Sequence, residues 1–439
     1  MRSKSPTLNQ DIELLVLTAL VIIYVVWFMW PIIGMGADNL RLVSVFNSDE
    51  PIYSRVVLQA LSENSLVIER ENQGRLYVNL LLVPLHVLNK VHPVSERLVI
   101  VGLRLISATF GAAALIVSFV LARRYFGRVA GWLSVSFLIL VPRSFWRLSA
   151  LVHSDATQVF FLILGIYFCC RLAESGALRY LILAAAAAGC AFATKYAGIV
   201  LLPLVWVVII LRSLVCDYRV WHDRVGKRFV SIAWALVVLG GLLLAAVSVV
   251  VTPEAIGSVA DVSYGIVRNG HWADLWGVLR FPVFVAGCGV ALMSVLFTVV
   301  RPPSQPMQRV IVVLGQLTVS CAAFLAAVFM SAPFSIGGLV RGLFYEYLHV
   351  GFGHTFQTDA TWDRWFQVLC SPDLFSGLLL VLAFLSLCLT LYDLWKEGKK
   401  KLLAPDLIMW AWVLPFSLFV LTQVNKTSAH YLLPIVPPV

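Results

Sequence analysis

The chain has 439 residues, 60% of them hydrophobic and 13% charged, with a formal net charge of +10 and a mean hydropathy of +0.89. Soluble domains carry about 45–50% apolar and about 25% charged residues, so a water-soluble globule is excluded. The basic residues sit in short gaps between apolar blocks, not along one stripe with exposed aromatics, which argues against nucleic acid as a partner.

The apolar blocks have the length needed to cross a hydrocarbon core of about 30 Å. The first, Ile12 to Ile33, is longer than a secretory h-region of about 7–15 residues and reads as a retained helix. Further spans are predicted near residues 98–121, 129–142, 156–170, 180–193, 197–211, 229–251, 281–300, 310–331, 374–395 and 403–422, with a twelfth starting near His430. The stretch from Leu181 to Leu211 admits a different division around Lys195. The predicted fold is all-α, a polytopic integral membrane protein of about 11–12 transmembrane helices. Residues 1–252 form a first transmembrane module, and 253–439 supply the remaining helices and outer loops. Because Leu432 to Val439 stops inside an apolar run, the last helix is expected to be truncated or re-entrant.

Placing Arg2 and Lys4 in the cytoplasm puts Arg123, Arg124 and Arg128, Arg171 and Arg179, the cluster from Arg212 to Arg228, Arg301 and Arg309, and Lys396 to Lys401 on the same side. This is the positive-inside pattern. It assigns the long loops Met35–Arg97, Pro142–Ser154, Thr252–Arg280 and Ala332–Asp373 to the non-cytoplasmic face. Ile52 to Leu61 and Leu76 to Leu88 are amphipathic and suit helices lying along the interface, as do Trp272, Trp276, Trp362 and Trp365. Eight cysteines, mostly in apolar blocks, show no metal-ligand spacing.

Chemistry-bearing residues collect in the outer loops. Asp49 and Glu50 are adjacent carboxylates just after the first span: either a pair in which one takes a proton from an acceptor hydroxyl and the other binds acceptor or metal, or a solvated acidic start to an interfacial helix. His153, Ser154 and Asp155 return the chain to the same face. Asp155 is a second acidic candidate, and Ser154 or Asp155 could equally serve as an N-cap. Arg104 lies about two turns inside the second span, where a charge costs roughly 2.5–3.5 kcal/mol unless paired or facing a polar cavity. Lys195 either takes part in a site or snorkels to the interface. The fourth outer loop brings Arg341, Tyr345, Glu346, His349 and His354 among glycines, a mixture able to hold a phosphate. No phosphate-binding loop, dinucleotide fingerprint or helix-borne zinc motif is present.

In this order the residues resemble the GT-C superfamily of membrane glycosyltransferases, in particular the protein O-mannosyltransferase and aminoarabinose transferase group. The resemblance runs through Asp49–Glu50–Pro51 with Tyr53, Gly74 to Tyr77, Arg104 to Ser107 followed by Arg123 to Gly127, Asp155, Ala193 to Lys195, the Pro333 to His354 loop and His430 to Pro434. It implies the GT-C fold and inverting transfer from a polyprenyl-phosphate-linked sugar to a glycolipid, polysaccharide or protein acceptor. The implied site is non-cytoplasmic, in a bacterial inner membrane or an endoplasmic reticulum. Asp49 would be the base, Glu50 and Asp155 would orient the acceptor or share a divalent cation, and Lys195, Arg341, Tyr345 and His354 would hold the donor phosphate. Arg104, His153 and Tyr77 would support them. A cofactor is not required; a magnesium or manganese ion, if used, would sit on Asp49 and Asp155. A transporter or flippase predicts polar residues deep in several spans, whereas the candidates here gather at one surface. An inactive membrane subunit would consume no donor.

Overall fold

The computed structural model describes residues 7–39, 43, 47, 50–66, 75–140, 143–215, 242, 305–331, 362–371 and 377–423. The predicted span near 229–251 apart from residue 242, the span near 281–300, the segment from His430, and Asp49, Arg341, Tyr345 and His354 lie outside the described residues. Among the described residues the regular structure is helical throughout, and five segments are long and apolar enough to cross a membrane: Leu15–Ile33, Glu96–Phe126, Asp155–Ser175, Tyr196–Val215 and Val312–Ser331. The protein is an all-α integral membrane protein.

The first span is not one continuous α-helix. Helix α1 (Thr7–Tyr24) passes through a π-helical turn, Val25–Met29, into the short α2 (Trp30–Ile33). Pro31 lacks an N–H and its ring crowds the preceding turn, so the i→i−4 ladder is interrupted there and the wider winding accommodates it.

The stretch after the first span contributes α3 (Glu50–Ser62) and α4 (Leu76–Asn89), at the positions of the two amphipathic stretches. One face of each folds onto the start of α5 (Glu96–Phe126) through a core that includes Val57, Leu61, Leu81, Leu82, Ile100 and Leu103. Tyr53 and Tyr77 meet edge to face in that core, their ring centroids 5.6 Å apart. The opposite faces leave Ile52, Val83 and Val87 exposed, as suits helices resting on a bilayer.

Helix α5 starts at Ser95, whose hydroxyl accepts from the Leu98 N–H at 3.3 Å, with Glu96 in the first turn and Arg123 and Arg124 in the last, all matched to the helix dipole. Its C-cap is Gly127, at φ +93°. Helices α6 (Arg128–Leu140) and α7 (Arg143–Ala150) pack back against it, followed by α8 (Asp155–Ser175), α9 (Leu178–Thr194) and α10 (Leu201–Val215).

Helix α9 is the packing centre, held between α8 and α11 (Gln305–Ser331). Its buried residues Ala184, Ala185, Ala187, Ala188, Gly189 and Ala191 allow close backbone approach, the usual means of joining helices in lipid. A Cβ on Gly189 would run into the Phe324 carbonyl of α11. Farther along lie α12 (Trp362–Cys370), α13 (Gly377–Glu397) and α14 (Pro405–Gln423); Trp365 of α12 is fully buried in the main core.

The division around Lys195 is resolved by local geometry. Helix α9 ends at Thr194, Lys195 is extended (φ −154°, ψ 129°), and a 3-10 turn at Tyr196–Val200 leads into α10.

Candidate functional site

The C-terminal end of α2, the N-terminus of α3, the first third of α5, the N-terminus of α8 and the end of α9 come together at one end of the bundle. Two ion pairs and one hydroxyl hub organise them. Arg104 is the centre of the first. Its guanidinium grips Glu50 bidentately, Nε to Oε1 at 3.0 Å and Nη2 to Oε2 at 2.6 Å, and neither side chain has any solvent exposure. Nη1 donates to the carbonyls of Ile32 (2.8 Å), Ile33 (3.1 Å) and Met35 (2.7 Å). Ile32 and Ile33 end α2 and Met35 follows it, and the Ile32 carbonyl also accepts the Met35 N–H at 3.0 Å, so one buried cation helps cap a helix and pairs a carboxylate at once. The partner expected for a charge inside the second span is therefore Glu50.

Glu50 carries a second load. Its Oε1 accepts the Val152 N–H at 2.7 Å, while Asn47 Nδ2 donates to the Val152 carbonyl at 3.0 Å. The stretch after the first span is thus tied through backbone and carboxylate to the segment that precedes Asp155, about a hundred residues later. Glu50, expected from sequence to orient an acceptor or hold a cation, has both oxygens bonded to groups of its own chain.

The hub is Ser107, one turn beyond Arg104 on α5. Its hydroxyl stands 2.8 Å from Tyr77 Oη and donates to the His153 carbonyl at 3.1 Å, and the His153 N–H approaches it at 3.4 Å. Tyr77 also donates to the Leu103 carbonyl at 2.9 Å. Burial raises the Tyr77 phenol well above its ordinary value, so it stays a neutral hydroxyl. Ser107 enters the sequence reading only as the end of the Arg104 to Ser107 stretch, with no role of its own, because a serine mid-helix is common.

Asp155 is buried at the first position of α8. Its Oδ1 pairs with Lys195 Nζ at 3.0 Å, and Oδ2 lies 3.3 Å from His153 Nδ1. The same Nδ1 is 3.4 Å from the Asp155 N–H. An unprotonated Nδ1 accepts from that N–H, and a protonated one pairs with the carboxylate. Ser154 precedes the helix without making a side-chain cap bond, while Asp155 pairs with Lys195. Lys195 does not simply snorkel: its extended backbone aims the ammonium back across to α8, and Gln158 Nε2 reaches its carbonyl at 3.4 Å.

Sequence-predicted Glu50, Tyr77, Arg104, His153, Asp155 and Lys195 thus share one end of the molecule. Among the described residues no three His, Cys, Asp or Glu side chains form a metal-sized cluster.

Residues 87–252 match the family model described as dolichyl-phosphate-mannose-protein mannosyltransferase. Arg104, Ser107, His153, Asp155 and Lys195 fall inside the matched stretch, and Glu50 falls before it. Among solved structures, the chain is similar to ArnT from Cupriavidus metallidurans bound to undecaprenyl phosphate, with 14% identity, a TM-score of 0.46, and coverage of 97% of this chain and 58% of that one. It is also similar to the archaeal oligosaccharyltransferase AglB from Archaeoglobus fulgidus, in complex with an inhibitory peptide and a dolichol-phosphate, with 15% identity, a TM-score of 0.43, and coverage of 89% of this chain and 45% of that one. The chain therefore spans less than two thirds of either protein. No curated protein sequence matches it.

Proposed function

We propose that this chain transfers a sugar from a polyprenyl-phosphate carrier to an acceptor hydroxyl on the non-cytoplasmic face of the membrane. The observation that carries the reading is the pair of buried Asp155 with half-buried Lys195, set beside the Glu50–Arg104 pair by the 152–155 segment. The mannosyltransferase family model covers both Asp155 and Lys195 and supports the same chemistry.

In this reading Asp49, next to the anchored Glu50, takes the proton from the acceptor hydroxyl. The acceptor oxygen attacks the anomeric carbon from the side opposite the carrier, the carbon–oxygen bond to phosphate breaks, and its electron pair leaves on the phosphate, inverting the anomeric centre. A phosphate leaving group needs charge stabilisation more than a protein acid. Lys195, oriented by its pair with Asp155, sets its positive charge against the phosphate oxygens, joined by Arg341, Tyr345 and His354 of the fourth outer loop. Asp155 holds Lys195 in register and orients the acceptor, while Glu50 fixes the loop from which Asp49 works. A divalent cation would be held by Asp49 with Asp155. The acceptor is a hydroxyl of a glycolipid, a polysaccharide or a protein.

The decisive experiment reconstitutes the chain in liposomes with a polyprenyl-phosphate sugar and follows donor consumption. Asp49→Asn is expected to abolish turnover while leaving carrier binding intact; unchanged turnover removes Asp49 as the base.

A further inference from the structure

At the opposite end of the bundle, the turn from α8 to α9 gathers several cations around one aromatic ring. Arg171 donates from Nη2 to the Tyr180 hydroxyl at 2.7 Å, and Arg179 donates to the same oxygen at 3.2 Å. Both guanidinium carbons stand 4.8 Å from the Tyr180 ring centroid. Arg124, from the end of α5, reaches Glu174 Oε2 at 3.1 Å, and Arg171 Nη1 reaches that same oxygen at 3.0 Å. Two guanidiniums therefore share one carboxylate, and a third, that of the exposed Arg179, has no carboxylate partner among the described residues. Arg171 also keeps a buried Nε–H with no acceptor.

Two like charges fixed on one phenol repel each other unless an anion lies between or above them, and the effect grows where a membrane edge lowers the dielectric. The surface beside them is apolar. Leu178 and Ile182, and Leu183 one turn beyond Arg179, are exposed on α9. Paired planar donors thus stand at the head of an apolar track, the arrangement in which a phosphodiester takes the guanidiniums and acyl chains lie along the helix.

We propose that Arg171, Arg179 and Tyr180 form a binding site for the phosphate of an anionic phospholipid, on the membrane face opposite the candidate catalytic residues. The lipid occupies the place of the missing counter-charge and fastens the α8–α9 turn to the bilayer. Arg124 and Glu174 hold Arg171 in position for it.

The test uses the full chain, stripped of lipid in detergent and titrated with phosphatidylglycerol or phosphatidylcholine, with bound lipid counted by native mass spectrometry. The expected result is preferential retention of phosphatidylglycerol by the unaltered chain. Arg179→Gln should weaken that retention about fivefold, the equivalent of about 1 kcal/mol for one cation near a charged lipid surface. Arg179→Lys, which keeps the charge but loses the planar fork, should fall between. Lys396→Gln, at an exposed lysine on α13, should leave retention unchanged. Equal retention of the two phospholipids, or equal effects of Arg179→Gln and Lys396→Gln, overturns the site. So does a polyprenyl monophosphate whose binding is lost with Arg179→Gln while that of phosphatidylglycerol is kept, or inorganic phosphate that competes as well as the lipid. Arg179 is exposed, so its variants test the proposal even if Arg171→Gln does not fold.

Discussion

Glu50 and Arg104 illustrate how much depends on single side chains here. Breaking a buried ion pair by removing one charge leaves the other uncompensated, at about 3–5 kcal/mol. Glu50→Gln should therefore lower the thermal unfolding midpoint sharply, and Glu50→Gln combined with Arg104→Met should be milder than the sum of the two; additivity would show that the pair is not coupled. Lys195 belongs to a different class, because its side chain keeps 16% exposure and its partner Asp155 is on another helix. Lys195→Ala is expected to raise the donor KM by about tenfold or more, the loss of one charge-assisted hydrogen bond, with a smaller change in the unfolding midpoint than Glu50→Gln gives. A fall in kcat at constant KM would place Lys195 away from the donor phosphate. That Arg104 must find a partner was legible in the sequence, since a charge in a span is costly. Which residue it finds was not, because Glu50 is brought to it by packing of α3 on α5 across a sequence separation of 54.

Among the elements, close contact between α9 and α11 rests on residues too small to keep them apart. Gly189→Leu should cost about 1–3 kcal/mol through overpacking against Phe324 and Ala327, read as a lower unfolding midpoint. Leu133→Ala, at a position 64% exposed on α6, should change it little; equal losses would mean that α9 is not tightly held. Hydropathy located the described spans to within a few residues, since length and apolarity are what a bilayer selects. It is blind to winding, so neither the π turn at Val25–Met29 nor the 3-10 turn at Tyr196–Val200 could be read from it. Pro31 was the available signal for the first, and the polar Lys195 between apolar blocks for the second.

For the molecule as a whole, the two ends differ in kind. One holds Glu50, Asp155 and Lys195, and the other holds Arg123 and Arg128 around the buried Glu13, Arg124 and Arg171 on Glu174, and Lys401 between Asp393 and Asp406 at 3.2 Å each. If the arginine-rich end is cytoplasmic, cysteines placed at Val91 and Val129, both well exposed, should be reached by an impermeant maleimide from opposite sides: V91C from outside the cell or lumenally, V129C from the cytoplasm. Reversed labelling would invert the topology and move the proposed chemistry to the cytoplasm. The convergence of the outer residues could be anticipated only as a shared surface, because helix tilt and loop folding set which side chains meet.

The guanidinium buried at position 104 also bears on how the chain enters its membrane. Alone, the second hydrophobic segment would carry that charge into lipid at roughly 2.5–3.5 kcal/mol. The penalty is relieved once the carbonyl groups that end the first segment and the carboxylate of residue 50 are beside it. The two segments should therefore leave the insertion machinery as a unit, and a nascent chain lacking the first should integrate the second inefficiently.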